Sequence, residues 1–196
     1  MASTVQICNQ ALSKVGAARI IDLLDDTKNA RILNAIFEVK RDAELAAHPW
    51  TFAIKRAKIP ALSTAPAFGW LYSYPLPSDF LRLIEVGNET NLYDTDSGAR
   101  FQVEGNAILC DEASPLQIRY VYRVTNTGLF SALFVEALAC RLAAEIAEEL
   151  TQNSGKRDMA WAEYKEAIKQ ARRVNAIEQP PNKQPDLSWV RAMTGA

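Results

Sequence analysis

The residues able to do polar chemistry in this chain are few: one histidine, His48, three cysteines, Cys8, Cys110 and Cys140, and several small groups of acids. A protein-held zinc or di-iron centre draws on several closely spaced histidines or cysteines, and no such spacing occurs here. Glu145, Glu148 and Glu149 share a helix face, yet no Glu-x-x-His accompanies them; they read as a solvated acidic face, and no metal site is expected. Nucleophilic catalysis by a cysteine or serine would have to use His48. Its place directly before Pro49 already has a steric explanation, so no catalytic role is assigned to it. The eight glycines stand singly, and neither a phosphate loop nor a dinucleotide fingerprint can be written, so no cofactor is expected. Two acids distant in sequence can converge as the pair that hydrolyses a glycosidic bond. Asp79, Glu85, Asp94, Asp96 and Glu104 are the nearest candidates, although turn and surface acids are common for structural reasons.

A basic surface is the other chemistry to weigh. Lys156, Arg157, Lys165, Lys169, Arg172 and Arg173 gather in one stretch against Asp158, Glu163 and Glu166. Nucleic-acid binding calls for a stronger excess or for aromatics in register, so this stretch reads as a solvated helix face or one that meets an acidic protein. Globally, 22 Lys and Arg oppose 23 Asp and Glu, a formal charge of -1, and no net field draws the chain to nucleic acid or to a membrane.

The elements that must position these residues follow from periodicity. Residues 3–16 carry Ser3 and Thr4 as caps, Val5, Cys8, Leu12 and Val15 at helical spacing, and Gly16 as a stop. After the loop AARIID, Asp25, Asp26 and Thr27 offer a second helix start. Ile32, Ile36, Val39, Ala43 and Ala46 then predict a buried seam on a helix of about twenty residues. It must end at His48, because the proline ring pushes the preceding residue out of the helical region and Pro49 has no amide to continue the ladder. The period then changes to two in TFAIKRAKI, with Trp50 placed to seal a helix–sheet corner. Between Trp50 and Tyr122 lie most of the aromatics and over half of the prolines, which predicts strands in FGWLYSY, DFLRLIEV, ARFQV, AILCD and PLQIRYVYRV. Gly105-Asn106 suits a type II′ hairpin.

Helical spacing returns after Gly128. Phe130, Phe134, Leu138, Leu142, Ile146 and Leu150 form one stripe, and Leu133, Ala137, Cys140, Ala144 and Ala147 a second, of mostly small residues. With NSGKRD as a turn, Ala160, Tyr164, Ala167, Ala171 and Val174 predict a fourth helix antiparallel to the third. The expected fold is α+β: an antiparallel four-helix bundle, residues 1–49 and 126–176, built from N- and C-terminal helix pairs, with an antiparallel β domain, residues 50–125, inserted between them. Residues 177–196 have three prolines and no sustained period, and predict an extended C-terminal arm. Leu187, Trp189, Val190 and Met193 make that arm adhesive.

With 196 residues, 48% hydrophobic and 23% charged, the chain has the composition of an ordinary folded protein with a sizeable core. An odd number of scattered cysteines in apolar surroundings fits reduced, buried thiols in a cytosolic setting. MASTVQICNQALSKVG lacks the charged and apolar regions of a secretory signal, and no run approaches the roughly 18 apolar residues of a membrane span. Neither export nor a membrane partner is expected.

Two blocks resemble a known family. ALSKVGAARIIDLLDDTKNARILNAIFEVKRDAELAAHPWTFAIKRAKI, with its I-x-x-L-x-D loop and terminal HPW-x-FA corner, is similar to the opening of the tail tubular protein A, or head-to-tail adaptor, family of short-tailed bacteriophages. YPLPSDFLRLIEV resembles the LP-x-D and LR strand segment of the same family, and the likeness spans residues 3–175. The resemblance implies a structural virion protein of the tail or neck, assembled in the host cytoplasm, that joins the portal protein to the tail nozzle, a tubular protein B-like partner. It also implies a homo-oligomeric ring of about twelve subunits, with the genome DNA passing through the channel without sequence-specific binding. In that setting His48, Pro49 and Trp50 form a structural corner between helices and strands, and Leu187, Trp189, Val190 and Met193 become the portal contact. The alternatives are a tail-associated peptidoglycan hydrolase of the muramidase type and, third, a nucleic-acid-binding module.

Overall fold

The computed structural model describes residues 2–87, 93–94, 98–99 and 101–178. Leu187, Trp189, Val190 and Met193, and with them nearly all of the expected arm, lie outside the described residues. Helix α1 spans Thr4–Val15, and Ser3 and Gln6 close a capping box at its start. Gly16 ends it with φ +75°, a left-handed conformation that costs a Cβ-bearing residue energy. Helix α2, Lys28–Ala47, begins where Thr27 accepts the Ala30 amide and ends at His48, whose extended backbone (φ -146°, ψ 145°) is the one Pro49 demands. Helix α3, Ala132–Thr151, is capped by Ser131. Helix α4, Ser154–Ile177, is capped by Asn153, whose side chain accepts the Lys156 amide. The expected turn NSGKRD is therefore mostly helix, because Asn153 serves as a cap and the reversal needs only Gln152 in a left-handed conformation.

The strands are β1 (Ile54–Ile59), β2 (Tyr72–Pro75), β3 (Phe80–Val86), β4 (Tyr93–Asp94), β5 (Gly98–Ala99), β6 (Phe101–Glu104), β7 (Ala107–Cys110) and β8 (Leu116–Tyr122). They form two small three-stranded antiparallel sheets, ordered β1-β8-β3 and β2-β7-β6, with β4 and β5 paired apart. Of FGWLYSY only the end is strand, and Phe68 and Leu71 stand exposed before it. In TFAIKRAKI a short 3₁₀ turn, Thr51–Ala53, precedes the strand. Gly105, alone in the β6–β7 turn, carries positive φ, as a type II′ hairpin requires.

The expected bundle with an inserted β domain is not what forms. Helix α3 is a hub: α1, α2 and α4 each pack on it, and α1 and α2 meet α3 rather than forming a pair of their own. The reason lies in α3 itself. Phe134, Leu138, Leu142 and Ile146 are buried on one stripe and Ala137, Cys140, Ala144 and Ala147 on the other, so several flanks need cover and a single antiparallel partner cannot supply it. Nor is the sheet walled off. Along β8, Leu116, Ile118 and Tyr120 face a second core between the sheets, shared with Ile59, Tyr74, Val86, Ile108 and Cys110. Val121, pointing the other way, is buried in the helical core with Trp50, Ala53, Phe134 and Leu138. One strand thus belongs to both cores, and the fold is a mixed α+β arrangement of four helices and two small sheets among the described residues.

The seam of α2 also differs from its expected one. Val39 is 64% exposed, while the buried stripe runs through Ala30, Leu33, Phe37, Arg41 and Glu44. Two charged residues complete that stripe: Arg41 pairs with Glu38 and Asp42 on the same helix, while Glu44 meets Tyr164 and Arg141 on other elements, and apolar periodicity cannot register such partners.

Candidate functional site

The corner after α2 is built from the backbone outward. Pro49 turns the chain, and Trp50 swings into the core with no exposed surface. Its indole Nε1 donates to the carbonyl of Glu44 at 2.9 Å, satisfying one of the last-turn carbonyls that a helix end leaves open. The ring meets Phe134 edge-on at 4.9 Å and stacks near Phe52 at 6.1 Å. From the far end of the chain, the buried side chain of Asn175 on α4 clasps the same corner. Its Oδ1 accepts the Thr51 amide at 2.9 Å, while its Nδ2 donates to the Pro49 carbonyl at 3.2 Å and lies 3.0 Å from His48 Nε2. With the amide orientation set by its two backbone bonds, Nε2 must accept, so His48 is the neutral Nδ1-protonated tautomer. Burial, reinforced by Arg172 and Arg82, lowers the pKa of His48 below its ordinary 6.5.

A titration prediction follows from that clasp. The unfolded chain takes up a proton at His48 before the folded one does, so stability is full above pH 6.5 and declines as pH falls through 6.5. The decline stops growing once the folded form protonates too. Denaturant melts at about pH 7.5 and about pH 5.5 should show a smaller difference for His48→Gln than for the parent chain. An equal difference would show that His48 does not carry the effect.

Beneath the corner lies a buried polar cluster that the sequence did not announce. Glu44 Oε1 accepts from Tyr164 Oη at 2.6 Å and lies 3.9 Å from Arg141 Nε. Arg141 pairs with Glu145 at 2.8 Å, and Lys40 reaches the same carboxylate at 2.8 Å. The guanidinium sits 4.6 Å from the Trp161 ring centroid, a cation–π stack. Burial, then the Glu44 bond, pushes the Tyr164 hydroxyl up to about 12. The cluster ties α2, α3 and α4 together, and Glu145 is consumed in it instead of standing on a solvated face. Asp42 adds a further link, pairing with Arg41 at 2.9 Å and with Arg123 at 2.7 Å.

The remaining sequence candidates are placed apart. Asp79 lines a cleft of about 370 Å³ with Lys55, Tyr122, Arg123 and Asn126. Burial would raise its pKa, but bonds from Lys55 at 2.6 Å and from Tyr120 at 2.9 Å outweigh that and hold it below the usual carboxylate value. Among the described residues it is the one carboxylate in the lining, whereas glycoside hydrolysis needs two, one of them held protonated. Glu85 is buried against Arg119 at 2.8 Å, Glu104 is exposed, Asp94 falls in the short strand β4, and Asp96 lies outside the described residues. Glu148 pairs with Arg157 at 2.7 Å, and Glu149 is exposed. Cys8, Cys110 and Cys140 are free and buried; burial pushes Cys8 up to about 12 and raises the other two, so all three are protonated and unreactive. Among the described residues no group of three or more His, Cys, Asp or Glu is placed to hold a metal ion.

No family model and no curated protein matches this chain. The geometry itself bears on function. It brings His48, Pro49 and Trp50 together with Asn175 as a packed joint, and it engages the chemistry-bearing side chains around that joint in ion pairs and hydrogen bonds. Asn175 and the Glu44 cluster were missed by sequence reasoning. The only available signal was a pair of charges, Arg41 and Glu44, three apart on a helix.

Proposed function

We propose that the chain is a structural virion protein, a head-to-tail adaptor that joins a portal protein to a tubular tail nozzle in a ring around the DNA channel. The observation that carries this reading is the placement of the exposed apolar side chains. Ile21 is 90% and Leu24 84% exposed, on a loop braced from within. Asp25 accepts the Ile21 and Asp22 amides, Asp22 accepts the Leu24 amide, and Asn9 brackets Ile20 through both its amide and its carbonyl. Phe68 is 88% exposed on a second loop. Aliphatic side chains held exposed on a braced loop are suited to a contact within an assembly. The resemblance of the HPW-x-FA and LP-x-D blocks to adaptor proteins supports the same reading, as does the engagement of the polar side chains in structural pairs. Among the described residues no helix is long and apolar enough to cross a membrane.

The portal contact is assigned to Leu187, Trp189, Val190 and Met193. Electron microscopy of the purified chain with and without its cognate portal tests the proposal, together with a variant ending at residue 178. Rings should form on the portal, and the truncated chain should fail to attach while keeping its melting temperature. Cell-wall hydrolysis by a chain that ignores the portal would overturn the reading.

A further inference from the structure

The outer face of the β1-β8-β3 sheet carries a second feature that the adaptor reading does not use. In register, Ile54 lies opposite Val121, Arg56 opposite Arg119 and Lys58 opposite Gln117. Side chains alternate along a strand, so these pairs share one face. At the Val121 end that face is covered by the helices; beyond them it continues as Arg56, Lys58, Gln117 and Arg119, which line a concave pocket of about 260 Å³ with Gly87 at its edge. Directly opposed like charges destabilise an antiparallel pair unless something neutralises them. Glu85 answers Arg119 alone, at 2.8 Å. Arg56 and Lys58 are exposed and take part in no ion pair among the described residues; among those residues no carboxylate is part of the pocket lining, and the one beside its edge is Glu112, 3.4 Å from where a Cβ on Gly87 would sit.

We infer that this pocket is a phosphate-binding site, with Arg56, Lys58 and Arg119 as its ligands. Each guanidinium offers five N–H donors in a fixed fork, and the ammonium three more. A single carboxylate presents fewer acceptor oxygens to these donors than a free phosphate does, or than two consecutive backbone phosphates do together, and those oxygens can be shared between the forks and the ammonium. Arg56 and Lys58 stand about 6.6 Å apart along their strand, close to the separation of consecutive phosphates in an extended nucleic-acid strand. An acidic protein segment fits less well. Its binding normally needs an apolar anchor, and the apolar lining consists of Ala57 and Ile118, the latter already 3% exposed within the inter-sheet core. The phosphate is therefore either free or part of a nucleic-acid backbone, contacted without regard to sequence.

The test uses the full chain. Binding of a labelled single-stranded oligothymidylate is measured by anisotropy across a salt series, and binding of inorganic phosphate and of polyglutamate by calorimetry. The double variant Arg56→Gln/Lys58→Gln should bind the oligonucleotide at least about tenfold more weakly, with the dependence of log K on log salt shallower by roughly 1.4. Its melting temperature should be no lower than the parent's, because both side chains are exposed and the change relieves the Arg56–Arg119 opposition. Inorganic phosphate bound in place of the oligonucleotide, and lost in the double variant, identifies a free phosphate as the ligand. Three results overturn the site: no binding of either phosphate probe, polyglutamate bound as tightly as the oligonucleotide, or an equal loss in the control Lys165→Gln/Lys169→Gln on α4.

Discussion

Trp50→Ala should destabilise the fold by about 3–5 kcal/mol, the range for emptying a fully buried large aromatic site. The side chain has no exposed surface and touches rings from three directions, His48, Phe52 and Phe134. Its removal opens a cavity where α2, α3 and the root of β1 meet, and α3, packed on several flanks, cannot collapse into it. The Glu44 carbonyl also loses the indole donor. Trp50→Phe separates the two costs. It keeps most of the ring volume and forfeits the hydrogen bond, which should cost about 1–3 kcal/mol. Denaturant melts of the two variants decide the matter, and a Trp50→Ala chain as stable as its parent would mean that the corner repacks freely.

Arg141→Met should cost about 3–5 kcal/mol, the usual result of leaving one partner of a buried ion pair alone. Glu44 is only 5% exposed. Without the guanidinium, its charge keeps the Tyr164 hydroxyl as a neutral donor but loses its nearest cation, and Glu145 retains Lys40 alone. Two atoms of the pair, Glu44 Oε2 and Arg141 Nε, have no hydrogen-bond partner, so the cluster is costly even when intact. For that reason the double variant Glu44→Gln/Arg141→Met should recover a large part of the loss, since a neutral amide removes the stranded charge. Chemical denaturation of the single and double variants closes the cycle. Simple addition of the two losses would show that the residues do not act as a pair.

The ends of the elements are legible from local residues alone. Ser3 and Gly16, Thr27 and His48-Pro49, and the Gly105 turn mark element ends correctly because capping, proline sterics and left-handed φ act within a few residues and owe nothing to distant contacts. The two apolar stripes of α3 were equally readable, but not the number of neighbours they serve. A stripe states that a surface must be covered and leaves open which element covers it, and here three helices and a sheet strand compete for the same hub. Long-range packing sets the rest: α1 and α2 go separately to α3, β8 pairs with β1 and β3 and shares Val121 with the helical core, and Glu44 belongs to the buried face of α2. Each of these depends on charges or side chains brought from far along the chain. Asn175 shows the limit most plainly. It is an unremarked polar residue on a mostly polar helix, and it becomes the clasp of the His48 corner only when α4 folds back across α3 and sets its amide against Pro49 and Thr51.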